Sequence, residues 1–340
     1  MANLKIQSNV ELGFPEDFTD EKCSHSRFFP SKVGGKPSWL ALSDIPTPDQ
    51  IACSDCNNPT IFFAQIYAPI ETNDDAFHRT IFVFICKNKS CTNQDVKIFR
   101  SQLAHLNQFY PSDPPDINED NFKIDDLIQL CSVCGGSGPL KCAKCKAISY
   151  CSKAHQAIDW KKQHKQECTT LSKYNSTLAS DEVLFKELEI VMETEEIPDE
   201  NEEKTEEEKL AEYEQLVKDG KAGTLSDVKD EELLECAKGI EEDKVFEKFK
   251  KRIVHYPDQI IRYERNGVPL RISDAQLPEI PRCEYCNSER QFEFQIVPQI
   301  LYELKEDSVD FGTLDVYTCS KSCSIKDNPI TYKNEYILAS

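Results

Sequence analysis

Four stretches of this 340-residue chain are dense in aromatic and β-branched residues: 60–67, 80–85, 291–297 and 313–318. Runs of this length, bounded by Asn, Asp, Ser and Pro, predict β-strands. They come in two pairs, each framed by cysteines. CSDCNNPTIFFAQIYAPI aligns without a gap to CEYCNSERQFEFQIVPQI, which matches Cys53, Cys56, Asn57, Phe62, Gln65, Ile66 and Ile70 to Cys283, Cys286, Asn287, Phe292, Gln295, Ile296 and Ile300. Downstream, TIFVFICKNKSC (80–91) parallels TLDVYTCSKSC (313–323). The chain therefore holds a two-copy repeat of cysteine knuckle, strand, turn, strand and second knuckle. Residues 152–168 show three- and four-residue recurrence and predict a helix, as do residues 230–253, ending before His255-Tyr256-Pro257.

Charge changes the picture between these elements. Residues 187–209 hold twelve acids and two lysines. That self-repelling composition suits a solvated helix or disorder, either as a spacer or as a lure for a basic partner. The whole chain has 60 acidic and 40 basic residues, a formal charge of −20. Such a balance disfavours general binding of phosphate backbones, so no direct nucleic-acid partner is expected. No window approaches the roughly 18 apolar residues of a membrane span. The opening MANLKIQSNVELGF lacks the apolar core of a secretion signal, so the expectation is a soluble, intracellular chain.

Sixteen cysteines are too many for disulfides in a reducing compartment, and fourteen of them stand at metal-like spacings, leaving Cys23 and Cys236 alone. The central stretch reads C-x2-C-x7-C-x2-C-x5-C-x3-H-x8-H-x3-C, from Cys131 to Cys168. Its eight donors fill two tetrahedral zinc sites with no position left for a reactive water. So short a segment, poor in large apolar side chains, takes its folding energy from metal. The flanking repeat predicts two zinc-ribbon-like sites of four cysteines, one from Cys53, Cys56, Cys86 and Cys91, the other from Cys283, Cys286, Cys319 and Cys323. Their second knuckles, at x4 and x3, are looser than C-x2-C.

The central ligand string, with Tyr150–Ser152 and Asp159–His164, resembles the MYND zinc finger. The resemblance implies interleaved sites: Cys131, Cys134, Cys151 and His155 on one Zn²⁺, and Cys142, Cys145, His164 and Cys168 on the other. His155 departs from the Cys of many such fingers, which changes site charge rather than occupancy. MYND fingers dock proline-containing peptides, and the matching groove positions are Gln156 and Trp160; Trp160 is equally explicable as the module's small core.

VELGF (10–14), FPSKVGGKPSWL (29–40), AFHRTIFVF (76–84), the finger, YERNGVPL (263–270) and DFGTLDVYTC (310–319) together resemble the programmed cell death protein 2 family. The resemblance spans nearly the whole chain and preserves domain order. It implies a non-enzymatic chaperone, cytoplasmic and nuclear. Its client would be a basic small-subunit ribosomal protein, the one lying where mRNA enters the subunit, and its role would be small-subunit assembly. The expected architecture is α+β and β-rich: an N-terminal β domain (1–120), the MYND finger (131–168), an acidic linker (180–250) and a C-terminal β domain (255–340). Both β halves would pack as one pseudo-symmetric unit.

Rival classes leave weaker traces. Neither a P-loop, a G-x-S-x-G elbow, a zinc-deaminase pattern nor a methyl-donor-binding core is present, which argues against catalysis. A nuclear adaptor whose finger recruits proline-containing motifs of transcriptional regulators is the alternative.

Overall fold

The computed structural model describes residues 6–118, 127–169, 176–197, 244–324, 326 and 330–340. The strands are β1 (Ile6–Glu16), β2 (Lys32–Val33), β3 (Ile61–Tyr67), β4 (His78–Ile85), β5 (Val96–Leu103), β6 (Leu140–Lys141), β7 (Ser149–Tyr150), β8 (Leu188–Ile197), β9 (Ile261–Tyr263), β10 (Arg290–Ile296), β11 (Leu314–Cys319), β12 (Tyr332–Asn334) and β13 (Tyr336–Ala339). The α-helices are α1 (Lys153–Asp159), α2 (Lys165–Glu167), α3 (Thr177–Val183), α4 (Lys244–Val254) and α5 (Gln299–Leu304). β6 and β7 form a small hairpin of their own, and the other strands join one sheet in the order β12-β5-β4-β3-β2-β8-β1-β9-β10-β11-β13.

The two edges of that sheet are consecutive in the chain. β12 pairs with β5 and β13 pairs with β11, with only Glu335 between them. A single run of residues thus serves both edges, and the sheet curls into a nearly closed barrel. Closure removes the exposed edges that an open sheet of this width would present.

Alternation explains why β4 reads as an unbroken apolar run. Ile81, Val83 and Ile85 enter a core shared with Phe294, Ile296 and Val316 of the C-terminal half. Phe82 and Phe84 enter a second core with Trp39, Leu40, Ile51, Phe99 and Tyr332. Both faces of the strand are covered, so both parities are apolar. Gly34 and Gly35 make the turn after β2 with φ of +64° and +65°, and a Cβ on Gly34 would lie 1.9 Å from the Lys186 carbonyl oxygen. Only glycine fits there.

One expectation is corrected here. The acidic stretch is not a solvated helix or spacer over Leu188–Ile197, which form β8 between β1 and β2 near the middle of the sheet. Leu188 and Ile190 point into the core, while Glu189 and Val191 alternate with them on the outer face. Buried Glu195 is neutralised by Arg252 of α4 and Arg262 of β9, at 2.7 Å each. Burial of alternate apolar residues against Gly13 and Ile261 outweighs the charge repulsion that favoured disorder. Residues 198–209 lie outside the described residues. The later helix is present as α4, with the start of its expected span, 230–243, also outside them.

Candidate metal centres

Each of the four expected donor sets converges in space. Cys53, Cys56, Cys86 and Cys91 meet in one cluster; Cys131, Cys134, Cys151 and His155 in a second; Cys142, Cys145, His164 and Cys168 in a third; and Cys283, Cys286, Cys319 and Cys323 in a fourth. Within each, the donor atoms lie within 4.8 Å of one another. A tetrahedron of thiolates about 2.3 Å from zinc spaces its sulfurs roughly 3.7 Å apart, whereas a disulfide needs about 2.0 Å. The observed separations follow zinc: 3.6 Å for Cys53–Cys91 and for Cys56–Cys86, 3.6 Å for Cys134–Cys151, 3.9 Å for Cys142–Cys168, 3.8 Å for Cys283–Cys323 and 3.5 Å for Cys286–Cys319. His155 presents Nδ1 to Cys131 at 3.7 Å, and His164 presents Nε2 to Cys145 at 3.5 Å.

Local backbone geometry makes these clusters. In all four C-x2-C knuckles the residue after the second cysteine adopts positive φ: Asn57, Gly135, Lys146 and Asn287. Its N–H donates to the carbonyl of the first cysteine at 2.8–2.9 Å. Asn and Gly are the residue types that enter this region most readily, and Lys146 does so under the constraint of its knuckle. In the finger, Ser152 caps α1 by accepting from the His155 N–H at 3.2 Å, which sets the histidine one turn from Cys151. Asp159, fully buried, accepts from Tyr150 Oη at 2.7 Å and Ser176 Oγ at 2.9 Å, tying hairpin, helix and α3 together. Between α1 and α2 the helix widens into a π-helical stretch, Trp160–His164, that carries His164 to its cluster.

The donors of the first finger cluster perturb one another strongly. Burial opposes protonation of His155, but Cys131 and Cys151 beside it raise its pKa to about 9. Contacts with Cys134 and Cys151 favour the Cys131 thiolate, while crowding against Cys131 and Cys151 pushes the Cys134 thiol up. Donors packed this closely compete for negative charge, and a divalent ion resolves the competition.

Gln156 and Trp160 stand one turn apart on the finger helix, both half-buried. The Trp160 ring lies 5.8 Å from the His164 ring and packs on the main core. It is thus part of the module's packing and also partly open to a ligand.

Family profiles for the N-terminal and C-terminal domains of programmed cell death protein 2 match residues 9–117 and 243–340, and the MYND finger profile matches 131–168. Programmed cell death protein 2 of Mus musculus is 39% identical over 96% of this chain and 95% of its own. The chain belongs to the programmed cell death protein 2 family. The programmed cell death protein 2-like protein of Homo sapiens is 26% identical over 86% of this chain and 85% of its own. A Schizosaccharomyces pombe relative, named Probable 20S rRNA accumulation protein 4, is 25% identical over 99% of both. No solved structure matches. This chain accordingly carries a MYND zinc finger, with further Cys clusters whose chemistry fits zinc.

Sequence reasoning missed the buried charges that join the two halves. Arg79 of β4 makes a two-pronged ion pair with Glu293 of β10, at 2.7 and 2.9 Å, with both side chains fully buried. Its remaining donors reach Ser322 Oγ, Thr318 Oγ1 and the Ala68 carbonyl. A signal existed: in the repeat alignment Glu293 stands where its twin has Phe63, a charge at an apolar strand position.

Proposed function

We propose that this chain is a non-enzymatic binding protein, a dedicated chaperone that captures a newly made basic ribosomal protein of the small subunit and supports biogenesis of that subunit. The client is the ribosomal protein lying where mRNA enters. The observation that carries the reading is full-length similarity to a relative named for 20S rRNA accumulation. Four Zn²⁺ ions hold the scaffold, one per donor cluster. With four protein donors to each ion, no position is open for a substrate or an activated water. The halves form one pseudo-symmetric unit: β3 and β10 each carry a register shift at the same point of the repeat, Phe62/Ala64 and Phe292/Phe294. An outer-face pocket supplies charge complementarity, with Phe14 and Tyr256 ringed by Glu16, Glu193, Asp258 and Glu303. The protein works in cytoplasm and nucleus, without nucleic acid or membrane.

Mass spectrometry of proteins co-purified from translating cells, with zinc measured on the same sample, tests this reading. A near-stoichiometric small-subunit ribosomal protein is expected; a spread of nuclear regulators instead overturns it. The half-open Trp160 favours the adaptor as second reading. Under the chaperone reading, Trp160→Ala with zinc intact leaves the main partner bound; under the adaptor reading it is lost.

A further inference from the structure

The nearly closed sheet has a seam, and one donor cluster stands against it, while Tyr332 is also seated on Trp39 and Phe82 and donates to the Ala41 carbonyl at 2.7 Å. Tyr332–Asn334 sit on β5 and Tyr336–Ala339 on β11, so the run crosses from edge to edge at Glu335. The Glu335 carboxylate is fully buried. It accepts from the Cys319 N–H at 3.0 Å, from Arg100 Nε at 2.6 Å and from Arg290 Nε at 3.0 Å. The neighbouring Asn334 N–H donates to Tyr285 Oη at 2.8 Å, and Tyr285 lies inside the Cys283–Cys286 knuckle. The buried Lys333 ammonium stands 5.6 Å over the Tyr285 ring and bonds the carbonyls of Ser324 and Ile330. Arg100, on β5 of the other half, donates to the Cys323 carbonyl at 3.3 Å and reaches Cys323 Sγ at 3.6 Å.

Charge assigns the cluster its part. Around Glu335 two guanidiniums face one carboxylate, a surplus of one positive charge in a buried space. Four thiolates around Zn²⁺ carry a net −2, which faces Arg100 directly. The N-terminal quartet has the opposite neighbour: the Asp55 carboxylate contacts Cys91 Sγ at 3.2 Å, so an anion stands against that centre.

We propose that the Cys283, Cys286, Cys319, Cys323 centre is the latch of the sheet, its metal keeping the 332–339 run seated across the seam while Arg100 positions that run against Cys323. Metal loss frees one edge each of β5 and β11, which stay paired to β4 and β10 on their other sides, and leaves those two edges open to an extended polypeptide. The latch rests on the four-zinc reading above and adds a division of labour between the two all-cysteine centres.

Hydrogen exchange followed by mass spectrometry, with zinc counted on the same full-length samples, tests it in Cys286→Ser, Cys56→Ser and Arg100→Gln. Cys286→Ser is expected to lose one zinc and to raise exchange across 98–102 and 332–339 by about tenfold, the mark of local opening, with β3 and β4 unchanged. Cys56→Ser also loses one zinc but leaves the seam protected. Arg100→Gln keeps its zinc until a chelator is added, then yields the C-terminal ion first. A protected seam in Cys286→Ser after loss of its zinc overturns the latch, as does equal opening in Cys56→Ser. If either variant fails to fold, stepwise chelation of the wild-type chain gives the same readout: the seam opens with release of one ion or it does not. A wild-type chain with three or fewer zinc ions and an empty C-terminal quartet overturns the four-zinc reading itself.

Discussion

Arg79 and Glu293 meet where neither touches water. Burial pushes the Glu293 carboxyl up, but the Arg79 charge and the hydrogen bonds from Arg79 and Thr318 hold it below the usual carboxylate range. A depressed carboxylate contributes stability that is present above its unfolded value near 4.5 and is lost as pH falls through the lower folded value. Glu293→Gln leaves the guanidinium buried without its counter-charge, and is expected to cost about 3–5 kcal/mol in denaturant melts at pH 7. The variant should also lose part of the wild-type slope below pH 4.5. Asp315 shows the reverse sign. Burial raises its carboxyl to about 6, against hydrogen bonds from Gln295 and Thr313 that favour the charged form. Its stabilising effect is complete below the unfolded value near 3.8 and disappears as pH rises through about 6. Asp315→Asn keeps the acceptor for Gln295 Nε2; its thermal midpoint is expected above wild type at pH 8, by about 2 kcal/mol in stability, and level with it at about pH 3.5. The repeat marks Glu293 as a charge at an apolar position, but neither residue's partner was legible in sequence. Arg79 lies 214 residues from its carboxylate, and nothing local to either residue specifies the other. The cysteines were legible because their spacing is local and their donor chemistry is narrow.

At the scale of elements, repeat and knuckles were readable because each occupies a short consecutive run. β8 was not. Its outward glutamates mask the two-residue alternation of Leu188, Ile190 and Met192, and composition read over a longer window reports only acid. The counterpart of β8 lies in VELGF of β1, where Gly13 pairs with Met192 and Ile261. A Cβ on Gly13 would come within 2.7 Å of Ile190 Cγ2 and 2.8 Å of Ile261 Cβ. Those atoms belong to short branched side chains on neighbouring strands, so little room exists for them to withdraw. Gly13→Ala is therefore expected to destabilise by about 1–3 kcal/mol despite alanine's better intrinsic propensity. Urea midpoints at constant slope check it; an unchanged or raised midpoint contradicts the close packing of β8, β1 and β9.

At the scale of the whole molecule, sequence order and spatial order differ. β1, from the N-terminal end, pairs with β8 and β9 and bridges the two halves; β12, from the C-terminal end, pairs with β5 of the first half. The fully buried pairs Arg79–Glu293 and Arg100–Glu335 cross the same divide. Such a molecule should hold together after its chain is cut. A protease site placed between residues 198 and 243 is expected to yield two fragments that co-elute on a sizing column at neutral pH. The β1–β9 and β5–β12 pairings and the two buried ion pairs keep the halves joined without the connecting peptide. Chelation should weaken that association under the four-zinc proposal, in which the finger and the flanking cysteine knuckles owe their folding to metal. Fragments that separate at once on cutting, with zinc still bound to each, would mean two independent β domains and would overturn the shared sheet.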